Sequence, residues 1–117
     1  MSSYGFRKEN RLLTSSEYDR VFKQAIHRIN AREFLMLAAD REAGVSRVGT
    51  VVSKKVAGNS VERNRIRRLI KESFRLSKVA DGVDVVIVAR PAVHGKPNAA
   101  LTQTLETMWD KLGQKRA

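Results

Sequence analysis

The spacing of apolar residues along this chain predicts six elements. Tyr18, Val21, Phe22, Ala25 and Ile26 fall on one face of a helix. Thr14 and Glu17 open that helix as a Thr-x-x-Glu capping box, with Leu13 and Tyr18 at the flanking staple positions, and it frays near His27. Residues 34–39 and 47–53 are short apolar or alternating runs and read as strands. The segment 40–46 between them carries Gly44 and several charges, which suits an antiparallel hairpin with a long loop. Asn59 then caps a second helix, with Glu62 placed to reach back to it. Ile66, Leu69, Ile70 and Phe74 form its apolar face. Arg67, Arg68, Lys71 and Arg75 lie within roughly 100° of one another on the opposite face. Ser73 and Ser77 sit on the apolar side, small enough to pack closely against a sheet. Residues 83–89 are almost all β-branched, the pattern of a central strand covered on both faces. A last helix begins near Asn98, buries Leu101, Leu105, Met108, Trp109 and Leu112, and stops at Gly113.

The order is α-β-β-α-β-α. One mixed sheet with helices packed on it is the simplest arrangement, an α+β fold. A crossover through the second helix makes the second and third strands parallel. Both prolines fall in one loop, residues 90–97, and no linker divides the chain, so residues 1–117 read as a single domain.

Composition narrows the function. With 42% hydrophobic residues the chain folds rather than remaining disordered, and with no cysteine it has neither disulfides nor thiolate sites. No apolar run is long enough to span a membrane and no signal-peptide core is evident, so a cytoplasmic protein is expected. The net charge is +11, and residues 54–78 hold 9 basic and 2 acidic side chains, most of that excess. A field of this strength and clustering attracts polyanions, nucleic acid first.

Catalytic chemistry is not visible. His27 and His94 have no partner at metal-ligand spacing, and no paired carboxylates or nucleophile motif stand out. No catalytic or metal-binding residue is expected on this chain. Arg63 and Arg65, by contrast, lie in the first turn of the second helix, where the helix dipole disfavours cations and free N–H groups favour an anion. That placement suits a phosphate clamp, which Arg67, Arg68, Lys71 and Arg75 extend along a backbone. Asn64, both donor and acceptor, suits a phosphate, a 2′-hydroxyl or a base edge. Removing Arg65 is accordingly expected to leave stability unchanged or slightly higher. Tyr18 and Phe22, four apart on the apolar face, read either as core or as half-exposed platforms for unpaired bases.

Four segments, in order, resemble the protein subunit of bacterial ribonuclease P, over roughly residues 7–112. They are Asn10-Arg11-Leu12, then Glu17-Tyr18-x-x-Val21-Phe22-Lys23, then Ser53-Lys54-Lys55-Val-Ala-Gly58-Asn59, and Val61-Glu62-Arg63-Asn64-Arg65-Ile-Arg67-Arg68-Leu-Ile-Lys71-Glu-Ser-Phe-Arg75. The last is similar to the family's hallmark Arg-Asn-Arg helix. The resemblance implies a ribonucleoprotein that removes the 5′ leader of precursor tRNA, with the active site and its Mg²⁺ held mainly by the RNA subunit and no organic cofactor. It implies that Arg63, Asn64, Arg65, Arg67 and Arg68 hold the catalytic RNA, with Lys54, Lys55 and Asn59 near by. It places Tyr18 and Phe22 in a leader cleft between the first helix and the sheet, together with Arg11. A third cleft aromatic of some members falls at Leu37 here. It also implies a left-handed strand-helix-strand crossover, as in the ribosomal-protein-type sandwich resembling the second domain of small-subunit ribosomal protein five. The partners expected are the catalytic RNA and precursor tRNA, with no membrane and no obligate protein partner. A structured-RNA-binding protein without a processing role shares the charge pattern, whereas a stand-alone nuclease would need carboxylates or histidines that are not seen.

Overall fold

Residues 83–89 take the centre of the sheet, as their unbroken β-branched run requires, and the other elements arrange around them. The structure is a computed structural model that describes residues 10–12, 14–41, 44–77 and 79–116. In chain order the elements are α1 (Ser15–Gln24), β1 (His27–Asn30), β2 (Phe34–Asp40), β3 (Arg47–Val51), α2 (Ser60–Ser77), β4 (Val83–Ala89) and α3 (Asn98–Arg116), with a short 3-10 turn at Pro91–Val93. The sheet order is β1-β2-β4-β3. β2 is antiparallel to β1 and β4, and β3 is parallel to β4, which makes the sheet mixed.

Two expectations about the first half of the chain are corrected. The strands at 34–39 and 47–53 do not form a hairpin: β4 lies between them. The loop after β2 instead crosses the start of β4, where Arg41 N–H donates to Gly82 O at 2.7 Å and Gly82 N–H to Gly44 O at 3.1 Å. A buried β-branched strand gains more from two partners than an edge position allows. The first helix also ends earlier than expected, at Gln24, and His27 begins β1. Four residues with one buried side chain, Ile29, give little periodic signal. The capping box is present, with Glu17 N–H on Thr14 Oγ1 and Thr14 N–H on Glu17 Oε1. The staple residue Leu13 lies outside the described residues.

Strand parity sorts the sheet into two faces. One packs Phe34, Met36, Ala38, Val48, Val83, Val85 and Ile87 against Ile66, Ile70 and Phe74 of α2 and Leu101, Leu105, Met108, Trp109 and Leu112 of α3. Ser73 is small for α3 rather than for the sheet: its hydroxyl accepts the Trp109 indole N–H at 2.9 Å and donates to Ile70 O at 2.7 Å. Phe74 and Trp109 pack with ring centroids 5.5 Å apart. α3 does not stop at Gly113. It continues to Arg116, whose guanidinium donates to Ala80 O and Asp81 O and holds the last turn.

The other face carries α1. Val21 packs with Leu12, Leu37, Ala39 and Val86. At one end of this face Asp84, fully buried on β4, accepts from Arg47 Nε and Nη2 at 2.8 and 2.6 Å and from Arg20 Nη2 at 2.6 Å, with Arg41 Nε at 3.6 Å. Arg47 also reaches Glu17 at 2.8 Å. Burial raises the Asp84 pKa, but the hydrogen bonds from Arg47 and Arg20 outweigh it and hold the carboxyl below its ordinary range. The cluster thus bolts α1 to β3, β4 and the loop after β2.

Asp84→Asn leaves these arginines facing a neutral group. Because their side chains are 31%, 24% and 18% exposed, the expected loss is at the low end for breaking a buried pair, about 3 kcal/mol, read from the urea midpoint. The sign with pH follows from the lowered pKa. The stabilisation is full above the unfolded value, about 4, and is lost as pH falls through the lower folded value, so the gap between wild type and variant closes in acid.

Candidate nucleic-acid interface

α2 begins at a cap made by Asn59, whose Oδ1 accepts Glu62 N–H at 2.7 Å and whose carbonyl accepts Arg63 N–H at 3.1 Å. The Glu62 carboxylate does not turn back to the cap. It accepts Arg65 Nε and Nη2 at 2.9 and 2.5 Å, and those hydrogen bonds, with smaller help from His94, hold its pKa below the usual range. Arg65 also donates to Lys96 O at 3.3 Å and to Asn98 Oδ1. Arg63 donates to Ala57 O at 3.0 Å. The two cations that the helix dipole disfavours are thus compensated within the protein. Arg65 ties α2 to the start of α3.

Further along, Arg67 donates to Asn64 Oδ1 at 3.1 Å, and Arg75 pairs with Glu72. Lys54, Lys55 and Arg68 are exposed and make no hydrogen bond or ion pair among the described residues. A groove of about 350 Å³ runs over this helix between Asn64, Arg67, Arg68, Lys71 and Glu72. The predicted face is therefore real, but its members differ. Lys54, Lys55, Arg67, Arg68 and Lys71 offer charge outward, whereas Arg63, Arg65 and Arg75 already serve internal partners and Asn59 serves as the cap.

A second surface lies on the α1 side of the sheet. Pairing aligns Arg28, Leu37, Val86 and Gly49 in one row and Asn30, Leu35, Val88 and Val51 in the next. α1 covers the apolar part of the first row. Over its end the Tyr18 ring lies so close to Gly49 that a Cβ there would sit 2.6 Å from it. The Tyr18 hydroxyl accepts Thr50 N–H at 3.1 Å, on the outer edge of β3. Leu35, Val51 and Val88 in the second row are only half-buried. Phe22 follows Tyr18 by one turn on the same side of α1 and is 47% exposed. The strip is a shallow apolar floor with an aromatic wall. Arg90 borders it, donating to Asn30 Oδ1 at 2.7 Å.

The sequence-predicted cleft residues separate here. Tyr18 lies at the β3 end of the open strip, and Phe22, one helical turn further along α1, is half-exposed. Leu37 is not open: at 6% exposure it is packed beneath α1 with Val21 and Val86, and it offers no face to a base. Arg11 lies at the outer edge of β3, bridged to Val48. Asn30, Leu35, Val51, Val88 and Arg90 were not singled out by sequence reasoning. Alternation alone could have placed Val88 and Arg90 on one face, but not opposite Asn30, since β1 carries almost no pattern. Among the described residues, no group of three or more His, Asp or Glu side chains is placed to hold a metal ion, and no helix is long and apolar enough to cross a membrane.

Fold and surface together define an α+β nucleic-acid-binding protein with a basic crossover helix on one side of its sheet and an aromatic strip on the other. Residues 6–113 match the ribonuclease P family model. The ribonuclease P protein component of Chromohalobacter salexigens is 42% identical over 113 residues, covering 96% of this chain and 88% of that protein. That of a Marinomonas species is 40% identical over 98% of this chain and 88% of its own length. The solved ribonuclease P protein of Staphylococcus aureus superposes with a TM-score of 0.81 at 28% identity, over 90% of this chain and 96% of that one. The chain belongs to the ribonuclease P protein family, the protein components of a ribonucleoprotein that works with an RNA subunit in 5′ maturation of tRNA.

The bonds made by Arg65 reverse the expectation for its removal. Arg65→Ala should lower stability by about 1 kcal/mol, a charged hydrogen-bond network discounted for its partial exposure. Arg68→Ala should leave the melting temperature unchanged and weaken RNA binding. Thermal melts of both variants in anion-free buffer check the contrast.

Proposed function

We propose that this chain holds the RNA subunit of ribonuclease P with the outer face of α2 and guides the 5′ leader of precursor tRNA along the open strip beside α1. The observation that carries the proposal is the strip itself. Phe22 is half-exposed one helical turn after Tyr18, whose ring rests on Gly49, and α1 leaves the row Leu35, Val88 and Val51 half-buried. A flat aromatic next to a cationic surface binds unpaired nucleotides of any sequence, because every base has a stacking face. Lys54 and Lys55 follow β3 and lead from the strip towards α2, so one strand could run from floor to helix without leaving positive charge. The donor set on this chain suits phosphate binding rather than phosphodiester cleavage. We assign the chemistry and its Mg²⁺ to the RNA subunit, with the protein working in the bacterial cytoplasm.

The central test is cleavage of precursor tRNA by the RNA subunit at low Mg²⁺, with and without this protein. Stimulation is expected, and its absence would overturn the reading. The strip is tested separately. Phe22→Leu keeps the apolar bulk and loses the flat face, and one stacked base is worth roughly 1–3 kcal/mol. Holoenzyme affinity for precursor tRNA should fall about fivefold or more. Affinity for mature tRNA, which has no leader, should hardly move. Equal losses for both would return Phe22 to a structural role.

A further inference from the structure

Residues 10–12 form a short strap along the outer edge of β3. Asn10 Nδ2 donates to Ser46 O at 3.0 Å, and Leu12 N–H donates to Val48 O at 3.1 Å, so the strap is tied on both sides of Arg11. Arg11 itself forms a parallel bridge with Val48. Neighbouring residues of an extended chain point to opposite sides. Leu12 is buried with Val21 and Leu37 on the α1 side, which directs Arg11 to the α2 side. There Lys71 is half-buried on α2, and its ammonium pKa is lowered by burial and by the charges of Arg11 and Arg67. Arg67 and Lys71 line one groove on α2, and Arg11 comes to the same side of the sheet from a separate segment. Among the described residues none of the three is ion-paired to a carboxylate, and Arg11 Nε is buried without a hydrogen-bond partner.

Such an arrangement is costly in the free protein, since like charges repel and an unpaired buried donor loses its water. A bound oxyanion offsets both costs. The planar fork of arginine favours a phosphate, and lysine adds a point charge. We propose that Arg11, Arg67 and Lys71 form one clamp for a single backbone phosphate of the RNA subunit, so that the N-terminal strap belongs to the α2 surface and not to the leader strip. This rests on the reading of α2 as the RNA-subunit face. It adds a residue outside the helix and assigns Arg11 to the opposite side of the sheet from Phe22.

The test uses the full chain and the RNA subunit, in a double-mutant cycle of Arg11→Gln and Lys71→Gln across a salt series. Each single variant is expected to lower RNA-subunit affinity about tenfold and to reduce the salt slope by about one, as for loss of one phosphate contact. The double variant should lose clearly less than the product of the singles, because both side chains serve one phosphate. Precursor-over-mature tRNA preference should stay at the wild-type value. Arg11→Lys, which keeps the charge and loses the fork, should fall between wild type and Arg11→Gln, and it carries the test if Arg11→Gln fails to fold. Unchanged RNA-subunit affinity in Arg11→Gln, strict additivity, or a loss confined to precursor tRNA would each overturn the clamp while leaving the reading of α2 intact. Wild-type protein that does not bind the RNA subunit would overturn that reading as well.

Discussion

A single buried carboxylate sets the geometry on which the rest depends. Asp84 lies at 0% exposure in the central strand, where an unpaired charge would be prohibitive, and it is compensated by Arg20, Arg47 and Arg41 from three different parts of the chain. Because those arginines come from α1, β3 and the loop after β2, satisfying one charge fixes where α1 crosses the sheet. α1 is anchored at the Asp84 end and leaves the row at Leu35, Val88 and Val51 open. The strip is therefore a consequence of which end of the face carries the charge cluster.

Close approach completes that arrangement. Gly49 lets the Tyr18 ring rest on the backbone of β3, and the Tyr18 hydroxyl serves an edge-strand N–H that would otherwise face solvent. The strap at residues 10–12 serves the same edge one step away. The outer edge of β3 is thus covered at Val48 by the strap and at Thr50 by Tyr18, which blunts an edge open to unwanted pairing.

The positive charge on and just before α2 falls into two groups. Arg63, Arg65 and Arg75 hold loops and helix turns through Ala57, Glu62, Lys96, Asn98 and Glu72. Arg68, and Lys54 and Lys55 just before the helix, are exposed and make no hydrogen bond or ion pair among the described residues. Position in the sequence does not separate these groups, since the unpaired Arg68 lies between the internally bonded Arg65 and Arg75 on one helix.

The sequence by itself determined much of this protein. The capping box at Thr14, the apolar faces of α2 and α3, the central place of β4 and the basic helix all depend on neighbours a few residues apart, and local spacing records them. The family, too, was legible in four short segments. The strand order was not, because whether β2 pairs with β3 or with β4 is decided by which pairing buries the Val83–Ala89 run on both sides. Nor was β1, whose four residues bury only Ile29. The burial of Leu37, the bonds of Arg65 to Lys96 and Asn98 and the direction of Arg11 likewise belong to the tertiary structure. Val86 beneath α1, the start of α3 and Val48 of β3 are far along the chain from these residues, and only the packing of the elements brings them close.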